Sequence, residues 1–268
     1  MSGEEVLLRG LFELATGMNQ KIAVFGGVQS DQSREFTYFM NCIYDEHEHL
    51  VHDNLEWWFG TGFMAESADL ISGKIGYETT VCCFIDCNCL TTSVTGGGLK
   101  HQTDDNAWGM TVDMYGPTSL RRYDTTLLGR SDINDRFARV QAGDEHQFQI
   151  FGDSAYKLKS HTRSYFKAQE MVHDWMLWNM AMKSVRISIE WNYGYRAGLF
   201  KYIQRVDKLK IMKPASVSRV YTVCTLLHNF YSILYGNQST NYFNSRFKAD
   251  VLDHHINGTM CDMDGNAL

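Results

Sequence analysis

The sequence predicts an α/β fold behind a helical N-terminal region. Two short apolar runs, residues 79–86 and 148–153, each end in an aspartate. A hairpin pattern and a helical pattern lie between them, so the order is strand, hairpin, helix, strand. The chain is 44% hydrophobic with only 2 prolines, enough apolar material for a core and no Pro-rich linker to divide it.

Residues 1–75 read as helical and form the first expected region. Leu7, Leu8, Leu11, Leu14 and Ala15 recur at helical spacing. Gly26-Gly27 breaks the pattern, and Ser30 is the expected N-cap of a helix burying Phe36, Phe39, Met40 and Ile43. Two helices about a glycine turn give a helix-turn-helix-like outline. The helix after it carries Asp45, Glu46, Glu48, Asp53 and Glu56, a solvated acidic face. Composition changes near residue 76, where a region to about 240 begins. Its first strand is β-rich and ends at Asp86. A hairpin follows over residues 99–115, turning at Asp104-Asp105-Asn106 and ended by Gly116-Pro117. One helix is expected over 125–141, with Leu127, Leu128, Ile133, Phe137 and Val140 as its apolar set. The segment around Glu190 alternates at Val185, Ile187 and Ile189, yet as a helix it aligns Lys183, Arg186, Glu190 and Tyr193. Helix is preferred, with Gly194 capping its end. Residues 216–235 have clean helical spacing. The tail, and 241–268 above all, reads as irregular.

Net charge is −6, against a protein that coats nucleic acid through bulk positive charge, so such contact needs local basic patches. Seven cysteines, four of them crowded at Cys82, Cys83, Cys87 and Cys89, fit reduced thiols better than a disulfide framework or a zinc site. No apolar stretch approaches the ~20 residues needed to span a bilayer, and the acidic N-terminus lacks a signal-peptide pattern. A soluble, intracellular protein without membrane partners is expected.

The residues with chemistry to offer are carboxylates. In an open α/β sheet, ligands gather at the carboxyl ends of strands, which is where Asp86 and Asp153 are expected. Glu190 would add a third carboxylate from a helix beside the sheet. Carboxylates this close repel unless a cation is present, and Mg²⁺ or Mn²⁺ suits oxygen ligands. Three carboxylates can hold two such ions roughly 4 Å apart. A bland reading stands beside this one: Asp86 as a structural strand-end residue and Glu190 as the i,i+4 partner of Arg186.

The ordered motifs around these acids resemble the DDE nuclease domain of Harbinger-type transposases and of host proteins derived from them. They are Cys83-Phe84-Ile85-Asp86, Met114-Tyr115-Gly116-Pro117, Arg121-Arg122-Tyr123-Asp124, Gly152-Asp153-Ser154-Ala155-Tyr156, the arginine-to-glycine segment around Glu190, and Leu226-Leu227-His228-Asn229. The resemblance spans roughly residues 20–240. It implies an RNase H-like mixed sheet flanked by helices. It also implies Asp86, Asp153 and Glu190 as catalytic metal ligands for two Mg²⁺ or Mn²⁺ ions, and cleavage or strand transfer on double-stranded DNA. A DNA-binding partner protein, a homo-oligomer and a nuclear location (cytoplasmic outside eukaryotes) are compatible with it. Two departures stand out. The segment 91–98 runs almost directly into Leu99, as if sequence were missing and the second strand shortened near 95–99. Tyr123-Asp124 replaces a common His-Asp pair, and N-capping is the simpler role for Asp124.

Arg121, Arg122, Lys157, Lys159 and Arg163 form a basic patch that brackets Asp153, with Lys167 nearby. Lys183, Arg186 and Arg196 add charge around Glu190. In a nuclease these would hold phosphates; otherwise they are a solvated face. His228 is expected in the core, as are Trp175, Trp178 and Trp191 in preference to stacking on a base, and His254-His255 is discounted as a metal site. The leading expectation is a metal-dependent endonuclease. The alternative is a catalytically degenerate, transposon-derived DNA- or protein-binding protein. A hydrolase of small phosphoesters fits less well, because the basic patch is wide.

Overall fold

The computed structural model describes residues 3–17, 29–60, 62–91, 97–143, 147–167, 172–204 and 214–245. The glycines at 26–27, the segment 92–96 and His254-His255 lie outside the described residues.

Five helices lead: α1 (Gly3–Thr16), α2 (Gln29–His47), α3 (His49–His52), α4 (Leu55–Gly60) and α5 (Phe63–Ile75). α2 begins at Gln29, so Ser30 falls inside its first turn rather than capping it. Arg9 on α1 pairs with Glu35 on α2 at 3.0 Å. Then come β1 (Val81–Thr91), β2 (Gly98–Asn106), β3 (Thr111–Ser119), α6 (Asp124–Arg130), α7 (Ile133–Val140), β4 (Gln149–Phe151), β5 (Thr162–Arg163) and α8 (His173–Leu199). The 3-10 turn Lys201–Gln204, α9 (Pro214–Tyr235) and α10 (Gln238–Tyr242) close the described chain. The strands form one mixed sheet ordered β3-β2-β1-β4-β5, in which β2 runs antiparallel to both neighbours while β1, β4 and β5 are parallel. The α/β class expected from sequence is therefore what the chain adopts. No helix among the described residues is long and apolar enough to cross a membrane.

Several local expectations are corrected. Asp104, Asp105 and Asn106 are not a turn but the buried end of β2. The hairpin reverses at Ala107–Met110 instead, where Asn106 Oδ1 accepts from the Met110 amide at 3.1 Å and Gly109 takes φ +74°. A Cβ on Gly109 would stand 2.5 Å from Asn192 Oδ1, so only glycine fits there. β3 continues through Gly116-Pro117 to Ser119, because as an edge strand it tolerates a proline. All nine residues of β2 pair with β1, and six of them pair with β3 across two register shifts. The single helix over 125–141 is two, broken where Asp132 takes φ +52°. Gly194 does not end α8, which runs to Leu199. The tail after residue 237 begins with α10, opened by an Asn237–Thr240 capping box.

The turn-prone acids of β2 can stay extended because the sheet buries polar networks on both faces. On one face α7 brings Arg136 to Asp113, with two bonds of 2.7 and 2.5 Å. On the other, α8 brings fully buried Arg196 to the Thr111 and Tyr221 hydroxyls, and Thr111 donates to Asp105 at 2.8 Å. Asp104 is different. Both of its oxygens are buried without a hydrogen-bond partner, and burial together with the Asp113 charge pushes its carboxyl well above the usual range. Burial without a partner therefore favours the neutral form of Asp104 over the charged one.

A carboxyl whose pKa is raised by folding stabilises the fold fully below its unfolded value, and that stability is lost as pH rises toward the folded value. Asp104→Asn should match wild-type stability near pH 4. It should then gain on wild type by about 1.4 kcal/mol per pH unit until Asp104 itself ionises. Urea unfolding across pH 4–8 checks this; parallel curves for the two proteins would refute it.

Candidate functional site

Strand register brings the two aspartates together. β1 and β4 are parallel, and their last pair is Phe84 with Phe151. Asp86 and Asp153 each lie two residues beyond that pair, which joins neighbouring strands spaced roughly 4.8 Å apart. Asp86 is not at the end of its own strand, since β1 runs to Thr91; it lies where the parallel neighbour stops. The charge of Asp153 is close enough to raise the Asp86 pKa.

Gly152 makes the bend after β4 possible. A Cβ there would meet Tyr156 at 2.6 Å and Ile85 at 2.9 Å. Tyr156, itself buried, bonds Cys87 Sγ at 3.2 Å and so ties the Asp153 turn to β1. Asp153 Oδ1 accepts from the Ala155 amide at 2.8 Å, which orients its carboxylate.

Glu190 reaches the same place from α8, and Arg186 is the link. Its guanidinium donates to Asp86 Oδ2 at 2.8 Å and to Glu190 Oε1 at 2.8 Å. The Arg186 and Asp86 side chains are 15% and 22% exposed, whereas Glu190 is 54% exposed. Burial raises the Asp86 pKa, and the Cys87 amide and Arg186 oppose that rise. Burial also works against the Arg186 cation, but its bonds to Asp86 more than offset this, so its pKa rises. The Tyr165 hydroxyl stands beside the same guanidinium and feels the charges of Asp153 and Glu190.

The local i,i+4 pairing of Arg186 with Glu190 is thus present, and the same arginine also captures Asp86 from across the fold. Arg186 was expected to meet phosphate; here it is engaged between two carboxylates. That role was hidden in the sequence because Asp86 lies far from it along the chain. Lys183 lines a cleft with Arg186 and Glu190. Arg121, Lys157, Lys159 and Arg163 are exposed and Arg122 is half-buried; together with Lys183 they make no ion pair among the described residues. Arg196 does not add charge at Glu190, because it is buried against β3 and α9.

Asp124 does not cap α6. The cap position is Tyr123, without a side-chain bond, and Asp124 instead pairs with Lys100 at 2.7 Å. His228 is buried, as expected. Trp178 packs on Phe151 and Trp191 on Tyr242, whereas Trp175 is 37% exposed and stacks on Phe166. The described cysteines are free thiols.

As the side chains stand, no group of three or more His, Cys, Asp and Glu among the described residues is arranged to hold a metal ion. Asp86 and Glu190 nevertheless converge on one cation, Arg186, and hard carboxylate oxygens of that kind suit Mg²⁺ or Mn²⁺. Comparison with protein-family models, curated proteins and solved structures finds no match.

Removing the bridge should leave Asp86 and Glu190 unneutralised. Arg186→Gln is expected to lose about 1–3 kcal/mol at pH 7 without divalent ions, and Asp86→Asn/Arg186→Gln should lose less than the sum of the two single changes. Additive losses in thermal unfolding would show that the two residues do not interact.

Proposed function

We propose that this chain is a metal-dependent DNA endonuclease of the DDE type, related to Harbinger-type transposases, with Asp86, Asp153 and Glu190 as its catalytic acids. The observation that carries this reading is the convergence itself. Two parallel strands in register deliver Asp86 and Asp153, and one arginine joins Asp86 to Glu190 on a helix packed beside the sheet. A mixed five-stranded sheet flanked by helices agrees with the RNase H-like fold that the resemblance implies.

Asp86, Asp153 and Glu190 would hold two Mg²⁺ or Mn²⁺ ions. Bound there, the ions would activate a water or a DNA 3′-hydroxyl and neutralise the leaving oxygen of the phosphodiester. Asp86 provides the fixed point, being braced on the central strand by the Cys87 amide at 2.7 Å. Arg186 neutralises Asp86 and Glu190 and must give up its bonds to them before they can serve as ligands. Once released, its forked guanidinium suits the non-bridging oxygens of a phosphate. Lys157, Lys159 and Arg163 lie on the segment after Asp153 and would track the duplex backbone.

A second reading also rests on a specific observation. With Arg186 bonded to both Asp86 and Glu190, two of the three acids are already tied to a side-chain cation, as in a degenerate copy that binds DNA or protein without cutting.

Incubation of supercoiled DNA with Mn²⁺ separates the two. Wild type should nick, and Asp153→Ala, Asp86→Asn and Glu190→Gln should each nick at least about 100-fold more slowly, as loss of a group needed in the transition state implies. Equal nicking by wild type and Asp153→Ala would eliminate the endonuclease. The charged patch gives another expectation. Lys157→Ala/Lys159→Ala should weaken duplex binding across sequences and make the slope of log affinity against log salt shallower by about 1.8, at 0.9 per lost phosphate contact. Anisotropy titrations at several salt concentrations measure it, and an unchanged slope would remove these lysines from the interface.

A further inference from the structure

Beside the acids a cleft of about 520 Å³ runs along α8 from Met176 to Glu190. Its walls are Met176, Met180 and Ile187 on the helix and Tyr165 opposite, and Arg186 and Glu190 are also among its lining residues. Met176 is 44% exposed, Met180 64% and Ile187 40%. Three large apolar side chains left in water along one face of one helix call for a ligand, and unbranched methionines adapt to varied shapes.

The opposite wall is held in place. Asn179 grips the Phe166 backbone through its amide and carbonyl groups, at 2.9 and 3.0 Å. Phe166 stacks on Trp175 with ring centroids 4.8 Å apart and 11° between planes. The Asn179 side chain is thus spent on the protein's own backbone, so it has little left to read the edge of a ligand. Lys183, without an ion pair among the described residues, adds a free cation to the lining.

A flat, uncharged, apolar-faced group attached to an anion matches these features. We propose that the cleft receives a single nucleobase swung out of the stack next to the phosphodiester held at Asp86, Asp153 and Glu190. The base lies against Met176, Met180 and Ile187, and Lys183 meets a phosphate flanking it. The inference rests on the nuclease reading, because the shared Arg186 and Glu190 are what place the base beside the scissile bond. A protein helix laid over the same face would cover Glu190 and shut the acids off from a duplex, which argues against that occupant.

The test uses the full chain in Ca²⁺, to suppress cutting, with two duplexes of one sequence. One is fully paired; the other carries one unpaired 2-aminopurine as a bulge. Wild type should bind the bulged duplex about 10-fold more tightly, because an unpaired base enters the cleft without the cost of leaving its pair, and the 2-aminopurine fluorescence should change on binding. Met180→Asp and Met176→Asp, both at exposed positions, should bring the ratio of bulged to paired affinity close to one, whatever the added charge does to duplex binding as a whole. Equal affinity for the two duplexes in wild type would overturn the proposal. So would a preference that survives both substitutions, or self-association of wild type that Met180→Asp abolishes. The nicking assay with Asp153→Ala stays separate. A methionine-dependent bulge preference without Asp153-dependent nicking keeps the base site and rejects the nuclease. Nicking without the preference does the reverse.

Discussion

The pairing of Phe84 with Phe151 is the constraint on which the site depends. Both rings are fully buried, so a slip of this register would expose one of them and pull β1 and β4 out of step. Held in step, the two strands put the residues after them side by side, and Asp86 and Asp153 follow without any direct bond between them. Two like charges placed so closely need a nearby cation, and α8 brings one in Arg186. The helix is fixed in turn by Met182, Val185 and Ile189, which pack with Phe84 and Phe151 in one apolar cluster. The same two phenylalanines thus set the spacing of the aspartates and seat the helix that carries Glu190.

Arginine recurs as the answer to buried acid in this fold. Asp113 meets Arg136, Asp105 shares a network with Arg196, and Asp86 meets Arg186, each cation coming from a helix to a strand. An arginine suits these places because its planar fork bonds two partners at once and stays charged when buried. The acids differ in burial: Asp113 and Asp105 are fully enclosed, whereas the partners of Arg186 are half-buried or exposed and can exchange ligands. The two enclosed networks stiffen the sheet; the outer one is free to change.

Much of this was legible in the chain. The β-rich run before Asp86, the short run before Asp153 and the periodicity of 216–235 all appear where the patterns place them. What failed did so for physical reasons. Asp104-Asp105-Asn106 has turn chemistry, but partners distant in sequence keep it extended, and no local rule sees Arg196 or Arg136 coming. Asp124 looked like a cap until Lys100 of β2 claimed it. The Glu190 helix was recognisable from the alignment of Lys183, Arg186 and Glu190. That Arg186 would also hold Asp86 follows from packing alone, and so does the contrast between exposed Met180 and buried Met182 two residues on.

The core is assembled from the two ends of the chain. Leu55, Trp57 and Trp58 of α4 share one apolar cluster with Trp108, Ile133 and Ile233, and Leu14 of α1 shares another with Tyr221 and Leu226 of α9. Neither cluster can close until α9 has left the ribosome, so the tryptophans of α4 wait through most of synthesis with their final neighbours unmade. A message truncated ahead of α9 would yield a sticky, unfinished product, not a smaller working protein.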